Sequence, residues 1–325
     1  MGESGNIEAL AEEISQDVFK WFKWSWCPLR NVNWKCVSDH HTNNTHPSDV
    51  VYYYNDPYTG KTSYINTDLK SYKKGSINNT SIIKALNNLA LSVECANISS
   101  DWQSKYISPD ANIGEILGLL FIFNHDNEFD KELSEIIEKL DSKKLHIPED
   151  VFLALFDPLK IKNLLNIITD LEHLSAKKQF PADNYTFFYP DLTMSRRFGG
   201  EWEQPATIEA LTAPWLIIKH GQCDEYKEGF LIYYHNEGNT VDEFIYLVDA
   251  LSHYQMLLSD KPIRIRLTNS SADAINNFEQ AKLSYMSMWG ADEARERRLN
   301  TIKASKIKKV VPNYCPMEIG MREND

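Results

Sequence analysis

Residues 49–70 read as a β-hairpin whose turn leaves almost no freedom of register. Asp56-Pro57-Tyr58-Thr59-Gly60-Lys61 is a turn by composition: proline presets φ at one position, and glycine is free to take φ > 0 at another. Strands are expected at 49–55 and 62–70, rich in Tyr, Val and Ile. A fold centred between Tyr58 and Thr59, or half a residue earlier, sets Asp49 opposite or nearly opposite Asp68. The strand period of two then places Asp68 and Lys70 on one face, with Leu69 on the other. Two carboxylates and an ammonium thus converge on one patch. Hard oxygen donors of this kind suit Mg²⁺, and a cation beside them suits an attacking water.

The triplet acid-x-Lys carries little information alone. The chain has three: Asp68-Leu69-Lys70, Asp141-Ser142-Lys143 and Glu225-Tyr226-Lys227. Asp141 follows a predicted helix in a polar stretch, and Glu225 lies in a turn between apolar runs. Only Asp68 stands late in a β-rich strand with a second carboxylate across the hairpin. The competing reading is a surface ion pair on a solvated strand, a common arrangement of little energetic consequence.

Pro47-Ser48-Asp49, then Asp68-Leu69-Lys70, then a helical stretch over 81–95, resembles the PD-(D/E)xK nuclease superfamily. The likeness covers about the first half of the chain. Ser48 stands between the proline and the acid, a departure at the dispensable part of the pattern. The resemblance implies a restriction-endonuclease-like core and hydrolysis of phosphodiester bonds with Mg²⁺ or Mn²⁺. Asp49, Asp68 and the Leu69 carbonyl would be metal ligands, with Lys70 as the catalytic cation. A further ligand is expected from the first helix: Glu13, with Glu8 and Asp17 as competitors. Nucleic acid is the implied partner, DNA favoured, in a restriction or antiphage defence setting. A regulatory protein or a second copy of the chain is expected to control cutting. The alternative is a non-catalytic nuclease-like binding or scaffold subunit of a larger complex.

The rest of the pattern is α/β. Apolar residues Ile7, Leu10, Ile14, Val18, Trp21 and Phe22 mark an amphipathic helix over 6–24. Strands are expected at 32–38, 117–123, 151–156 and 185–189, and helices at 129–140 and 160–174. Several strands are continuously apolar, which indicates a mixed central sheet covered by helices on both faces. After residue 190 the texture changes. Arg196-Arg197-Phe198-Gly199-Gly200 reads as a linker, followed by a hairpin (215–219 and 229–234), a helix (241–258), a strand (263–267) and a helix (272–288). Two domains are therefore expected, 1–190 and a smaller α+β region over 191–325. The second hairpin and helix echo the first as a degenerate repeat, with Tyr and Asn or His where the first has Asp and Lys.

Composition narrows the function further. A net charge of −12 over 325 residues argues against a protein that coats nucleic acid, but not against one that engages it locally. Arg295, Arg297, Arg298, Lys303, Lys306, Lys308 and Lys309 cluster late, either as the solvated face of a C-terminal helix or as a phosphate-contacting arm. Five cysteines, an odd number, argue for reduced thiols. Cys27, Cys36, His40, His41 and His46 crowd together, but without C-x-x-C or H-x₃-H spacing they read as a polar loop before Asp49 rather than a zinc site. No apolar run is long enough to span a bilayer and no secretion or myristoylation pattern opens the chain, so a cytoplasmic protein without membrane contact is expected.

Overall fold

The computed structural model describes residues 3–129, 144–190, 202–224, 226–289 and 292–309. The chain divides at Leu164/Leu165 into two compact units. The first begins with α1 (Glu3–Trp21), followed by short strands β1 (Ser25–Trp26), β2 (Val32–Lys35) and β3 (Thr45–Ser48). The hairpin β4 (Val50–Asn55) and β5 (Thr62–Tyr72) comes next, then α2 (Asn79–Ile98), α3 (Ser100–Tyr106), β6 (Ile113–Asn124) and β7 (Leu153–Phe156). The main sheet runs β1-β4-β5-β6-β7, while β2 and β3 form a separate two-stranded ribbon. The β1–β4 and β4–β5 pairs are antiparallel, and β5–β6 and β6–β7 are parallel. The expected helix over 129–140 falls almost wholly outside the described residues.

Local chemistry sets these elements. Asp56 Oδ1 accepts the backbone N–H groups of Tyr58 (3.0 Å) and Thr59 (2.7 Å), and Gly60 takes φ 66° to close the hairpin turn. The resulting pairs run from Asn55↔Thr62 to Val50↔Thr67, the register the turn composition predicts. Asn78 caps α2 in a reciprocal box with Ser81. α1 covers one sheet face. Phe19 stacks on Trp24 (ring centroids 4.3 Å apart) and packs against Tyr52, Phe121 and Phe156. α2 covers the other face, where Val51, Tyr64, Leu120 and Ile122 meet Leu86, Leu89 and Val93. There Gly118 admits no side chain: a Cβ would lie 2.4 Å from Leu153 Cδ2 and 2.9 Å from Val93 Cγ2.

The second unit repeats the order. α4 (Pro158–Ala176), within which the division falls, precedes β8 (Tyr185–Phe187), a short α5 (Ile208–Thr212), and the hairpin β9 (Trp215–His220) and β10 (Gly229–Tyr234). α6 (Val241–His253), β11 (Ile263–Leu267), α7 (Ala274–Trp289), α8 (Glu293–Thr301) and β12 (Lys303–Lys306) complete it. Its sheet runs β12-β11-β10-β9-β8. Again two antiparallel pairs, β8–β9 and β9–β10, are followed by two parallel pairs, β10–β11 and β11–β12. The strand expected at 185–189 thus pairs in the second sheet. The helix expected to reach 258 ends at His253, because Gln255 turns left-handed (φ 58°) ahead of a 3₁₀ turn. One face of this sheet carries a buried charge cluster. Arg266 reaches the Asp170 carboxylate on α4 through Nε (2.9 Å) and Nη2, and the Tyr233 hydroxyl donates to Asp170 Oδ2 at 3.0 Å. Among the described residues, no helix is long and apolar enough to cross a membrane.

Two substitutions test this packing. Gly118→Ala should cost about 1–3 kcal/mol in denaturant unfolding, because β6 and α2 have no room to separate without loss of contact. Asp170→Ala should cost about 2–4 kcal/mol, since it takes the carboxylate from the half-buried Arg266 guanidinium and from the buried Tyr233 hydroxyl.

Candidate active site

β4 stops at Val50 while β5 continues to Tyr72, so the hairpin ends unevenly. The last pair is Val50↔Thr67, and one further step sets Asp49 against Asp68. The strand period gives Asp49 the face of Val51, and gives Asp68 and Lys70 the face of Tyr64. On β6, Leu120 is in register with Asp68 and Ile122 with Lys70, and both are fully buried. The charged groups therefore stand on an apolar floor.

Three contacts organise them. The Leu69 N–H donates to Asp49 Oδ2 at 2.8 Å, tying the carboxylate to the strand opposite. Lys70 Nζ donates to Asp68 Oδ1. The backbone oxygen of Asp49 accepts from Asn31 N–H at 2.8 Å. Within a strand the N–H and C=O of one residue point to the same side, so the Leu69 carbonyl is directed towards Asp49, beyond the last paired residue of β4. Flanking residues are tied down by polar contacts. Ser48 Oγ accepts from the indoles of Trp34 (3.0 Å) and Trp102 (3.2 Å), and Asn66 Nδ2 donates to Ser92 on α2 at 2.9 Å.

The electrostatics are those of two carboxyls sharing little space. Burial pushes the Asp49 carboxyl up to about 6, Asp68 adds to the rise, and the Leu69 N–H and the Lys70 ammonium oppose it. For Lys70, burial works to lower the ammonium, but Asp68 and Asp49 outweigh it and hold the group above its ordinary value. Lys70 is therefore a cation at neutral pH. Paired carboxylates with a repulsive component and a directed carbonyl make an oxygen donor set that fits a divalent ion, with the Lys70 cation beside it.

Residues 1–160 match the family model described as the GAPS4 protein PD-(D/E)XK nuclease domain. These residues belong to the PD-(D/E)xK superfamily. No curated protein matches the chain. Asp49 and the Asp68-x-Lys70 triplet lie inside the matched nuclease domain, on the uneven end of its hairpin.

Glu13 stands on α1. Phe19 of α1 packs on the face that carries Tyr52, Phe121 and Phe156, opposite to that of Asp49, Asp68 and Lys70. The apolar stripe of α1 demands that face, and the nearby charges acting on Asp49 come from Asp68 and Lys70. The late basic run is divided among α8, the edge strand β12 and the residues just beyond it, so it is not one helical face. Two of its members brace the fold: Arg298 Nη2 donates to the carbonyls of Met256 (2.9 Å) and Lys261 (2.7 Å), and Lys306 Nζ to that of Ser271 (2.6 Å). Arg196 and Arg197 lie outside the described residues. Around the Cys- and His-rich loop, Cys27 is buried by itself, with its thiol pushed up to about 11, and His40 is exposed. Cys36, His41 and His46 instead converge with Cys95 of α2, a residue that no local spacing in the sequence connects to them.

The raised Asp49 carboxyl has a measurable consequence. An unfolded chain ionises this group near 3.8 and the folded one near 6, so ionisation costs folding free energy. That cost is absent below about pH 4 and complete above about pH 7. With no added divalent ion, Asp49→Asn should therefore stabilise the protein by about 1–3 kcal/mol at pH 8, by about half as much at pH 5, and by almost nothing at pH 3.5, in urea unfolding at each pH.

Proposed function

We propose that the chain is a divalent-metal-dependent nuclease that hydrolyses phosphodiester bonds, with DNA as the favoured substrate. The observation that carries this reading is the convergence of Asp49, Asp68 and Lys70 on one face at the open end of the hairpin, within the matched nuclease domain. Asp49, Asp68 and the Leu69 carbonyl would hold Mg²⁺ or Mn²⁺. Such an ion, when bound, supplies Lewis-acid polarisation of water and of the scissile phosphate. Lys70 remains protonated beside its carboxylates, which favours the role of a fixed positive charge against the phosphate oxygens in the transition state. Its N–H groups also suit orientation of the attacking water. A lysine serves this point-charge role better than the broad fork of an arginine. Beside them on β6, the buried Leu120 and Ile122 lower the local polarity and strengthen the charges.

The second unit supports an accessory role. It has the same sheet order, yet on the face of β10 that packs in the helix-covered core the strand end offers Tyr234, and the period continues to Asn236, where the first unit has Asp68 and Lys70. Tyr234 donates its hydroxyl to Glu243, which is already engaged in capping α6. We infer a nuclease-like module that does not cut and serves recognition or regulation, with residues 191–325 as its main part. A restriction or antiphage defence setting, with a regulatory protein or a second copy of the chain, fits a nuclease that must be restrained in its host.

The test is cleavage of plasmid and single-stranded substrates by purified protein, with and without added Mg²⁺ or Mn²⁺. Lys70→Ala and Asp68→Asn should each lower the rate by about 100-fold or more while circular dichroism and melting stay near wild type. Calorimetric Mn²⁺ binding should weaken in Asp68→Asn and persist in Lys70→Ala, because only the carboxylate is a ligand. Cleavage that persists in highly purified Asp68→Asn protein would remove the proposed site.

A further inference from the structure

A second set of side chains converges away from the hairpin face. Cys36 directly follows β2, His41 lies in the loop beyond it, His46 is on β3 and Cys95 is in the last turn of α2. One donor atom from each lies within 4.8 Å of the other three. The Cys36 and Cys95 sulfurs are 3.5 Å apart, and both cysteines are free thiols. His41 Nδ1 is 3.4 Å from Cys36 Sγ, 3.3 Å from Cys95 Sγ and 3.4 Å from His46 Nε2. Cys95 and His46 are almost wholly buried, and the His41 side chain is only 4% exposed.

Hydrogen bonding alone does not account for this arrangement. Glu94 Oε2 lies 2.9 Å from His41 Nε2. The carboxylate accepts, so the imidazole proton sits on Nε2 and the Nδ1 lone pair points into the cluster. The Cys36 thiol also reaches the Ser38 carbonyl at 3.6 Å, but the one Nδ1 lone pair still faces the Cys95 thiol and a second imidazole, and it serves at most one of them as an acceptor. A central cation satisfies all four donors together. Zinc bonds of about 2.0–2.3 Å in a tetrahedron put neighbouring donors about 3.3–3.8 Å apart, close to the separations around His41 Nδ1. The His41–Glu94 contact is also the arrangement that fixes the tautomer and ring orientation of a metal-bound histidine.

We propose that Cys36, His41, His46 and Cys95 bind a structural Zn²⁺, with Glu94 as the positioning residue for His41. Four protein donors close the coordination shell, so the site is structural and holds no open position for a substrate. It clips the β2–β3 ribbon to α2, and His46 stands three residues before Asp49. The inference does not depend on the proposed nuclease activity.

The test uses the full chain purified under reducing conditions without added metal. Elemental analysis should find about one zinc per chain. Exchange with Co²⁺ should give the intense visible bands of a tetrahedral ion together with thiolate-to-cobalt charge transfer. Asp68→Asn should keep its full zinc content, separating this site from the hairpin carboxylates. Cys95→Ser should lose zinc or the charge-transfer intensity. Should that variant not fold, Glu94→Gln provides the second arm: it should fold, retain zinc and bind it about 10- to 100-fold more weakly in chelator competition. Zinc-free wild-type protein with reduced thiols, a cobalt spectrum without thiolate bands, or loss of zinc in Asp68→Asn would each overturn the site. Unchanged affinity in Glu94→Gln would overturn the role of Glu94.

Discussion

The hydrogen bond from the Leu69 N–H to the Asp49 carboxylate is the contact on which the candidate site depends. It forms just past the point where regular β4–β5 pairing ends, so it replaces a ladder bond with a side-chain one. In doing so it holds Asp49 against Asp68, although burial and like charge both oppose ionisation there. Without it, the residue after the ribbon would be free to carry its carboxylate into solvent. Lys70 supplies the opposing charge from the same strand, two residues beyond Asp68, where the strand period returns to the same face. The site is thus largely a property of one strand end. The sheet beneath it supplies the apolar floor, and the ribbon supplies the approach of Asp49.

The hairpin was legible because its turn residues have specific backbone demands. Asp56, Pro57 and Gly60 leave two neighbouring registers, both of which bring Asp49 opposite or nearly opposite Asp68, and the strand period gives the shared face of Asp68 and Lys70 by counting. The alternation of apolar strands with helices was legible for the same reason: burial on both faces of a parallel sheet leaves continuous apolar runs, as in β6. Other features were not legible. β3, which reads Thr45-His46-Pro47-Ser48, has no strand-like composition and forms because β2 lies beside it. β12 has two lysines in four residues and looks helical in continuity with α8, yet it adds to the edge of β11. Helical position singles out Glu13 beside the apolar stripe of α1, but it does not say which sheet face the helix covers. Cys95 has no local partner in sequence, and 59 positions separate it from Cys36.

The two units show how little of a fold resides in its chemistry. Both place two antiparallel pairs beside two parallel pairs, with a helix crossing over from the hairpin to the next parallel strand. The apolar pattern alone enforces that order, through Tyr64, Leu120 and Ile122 against α2 in one unit and Ile232, Tyr234 and Ile265 in the core of the other. The polar residues then diverge freely. In the second unit the buried charges lie on the α4 side, where Asp170 neutralises Arg266, and the hairpin end carries aromatic and amide groups. The same strand order is thus compatible with different chemistry at its strand ends.

The approach to Asp49 shows a different economy of forces. Its own strand contributes little, because β4 begins only at Val50. The residues just before it are held from three directions instead. Trp34 on the ribbon and Trp102 on α3 both donate to Ser48, and Ser92 on α2 lies within 3.5 Å of the Pro47 carbonyl. Each of these donors comes from an element buried for its own reasons, since both indoles are almost fully enclosed. The proposed zinc ligands extend this pattern by one more step: His46 lies on the same short strand, and Cys95 lies on the helix that carries Ser92. A polar ribbon of low intrinsic β-propensity cannot place a carboxylate within a few tenths of an ångström by itself. Tied at Ser48, at Pro47 and through His46 to a helix that the core already fixes, it can.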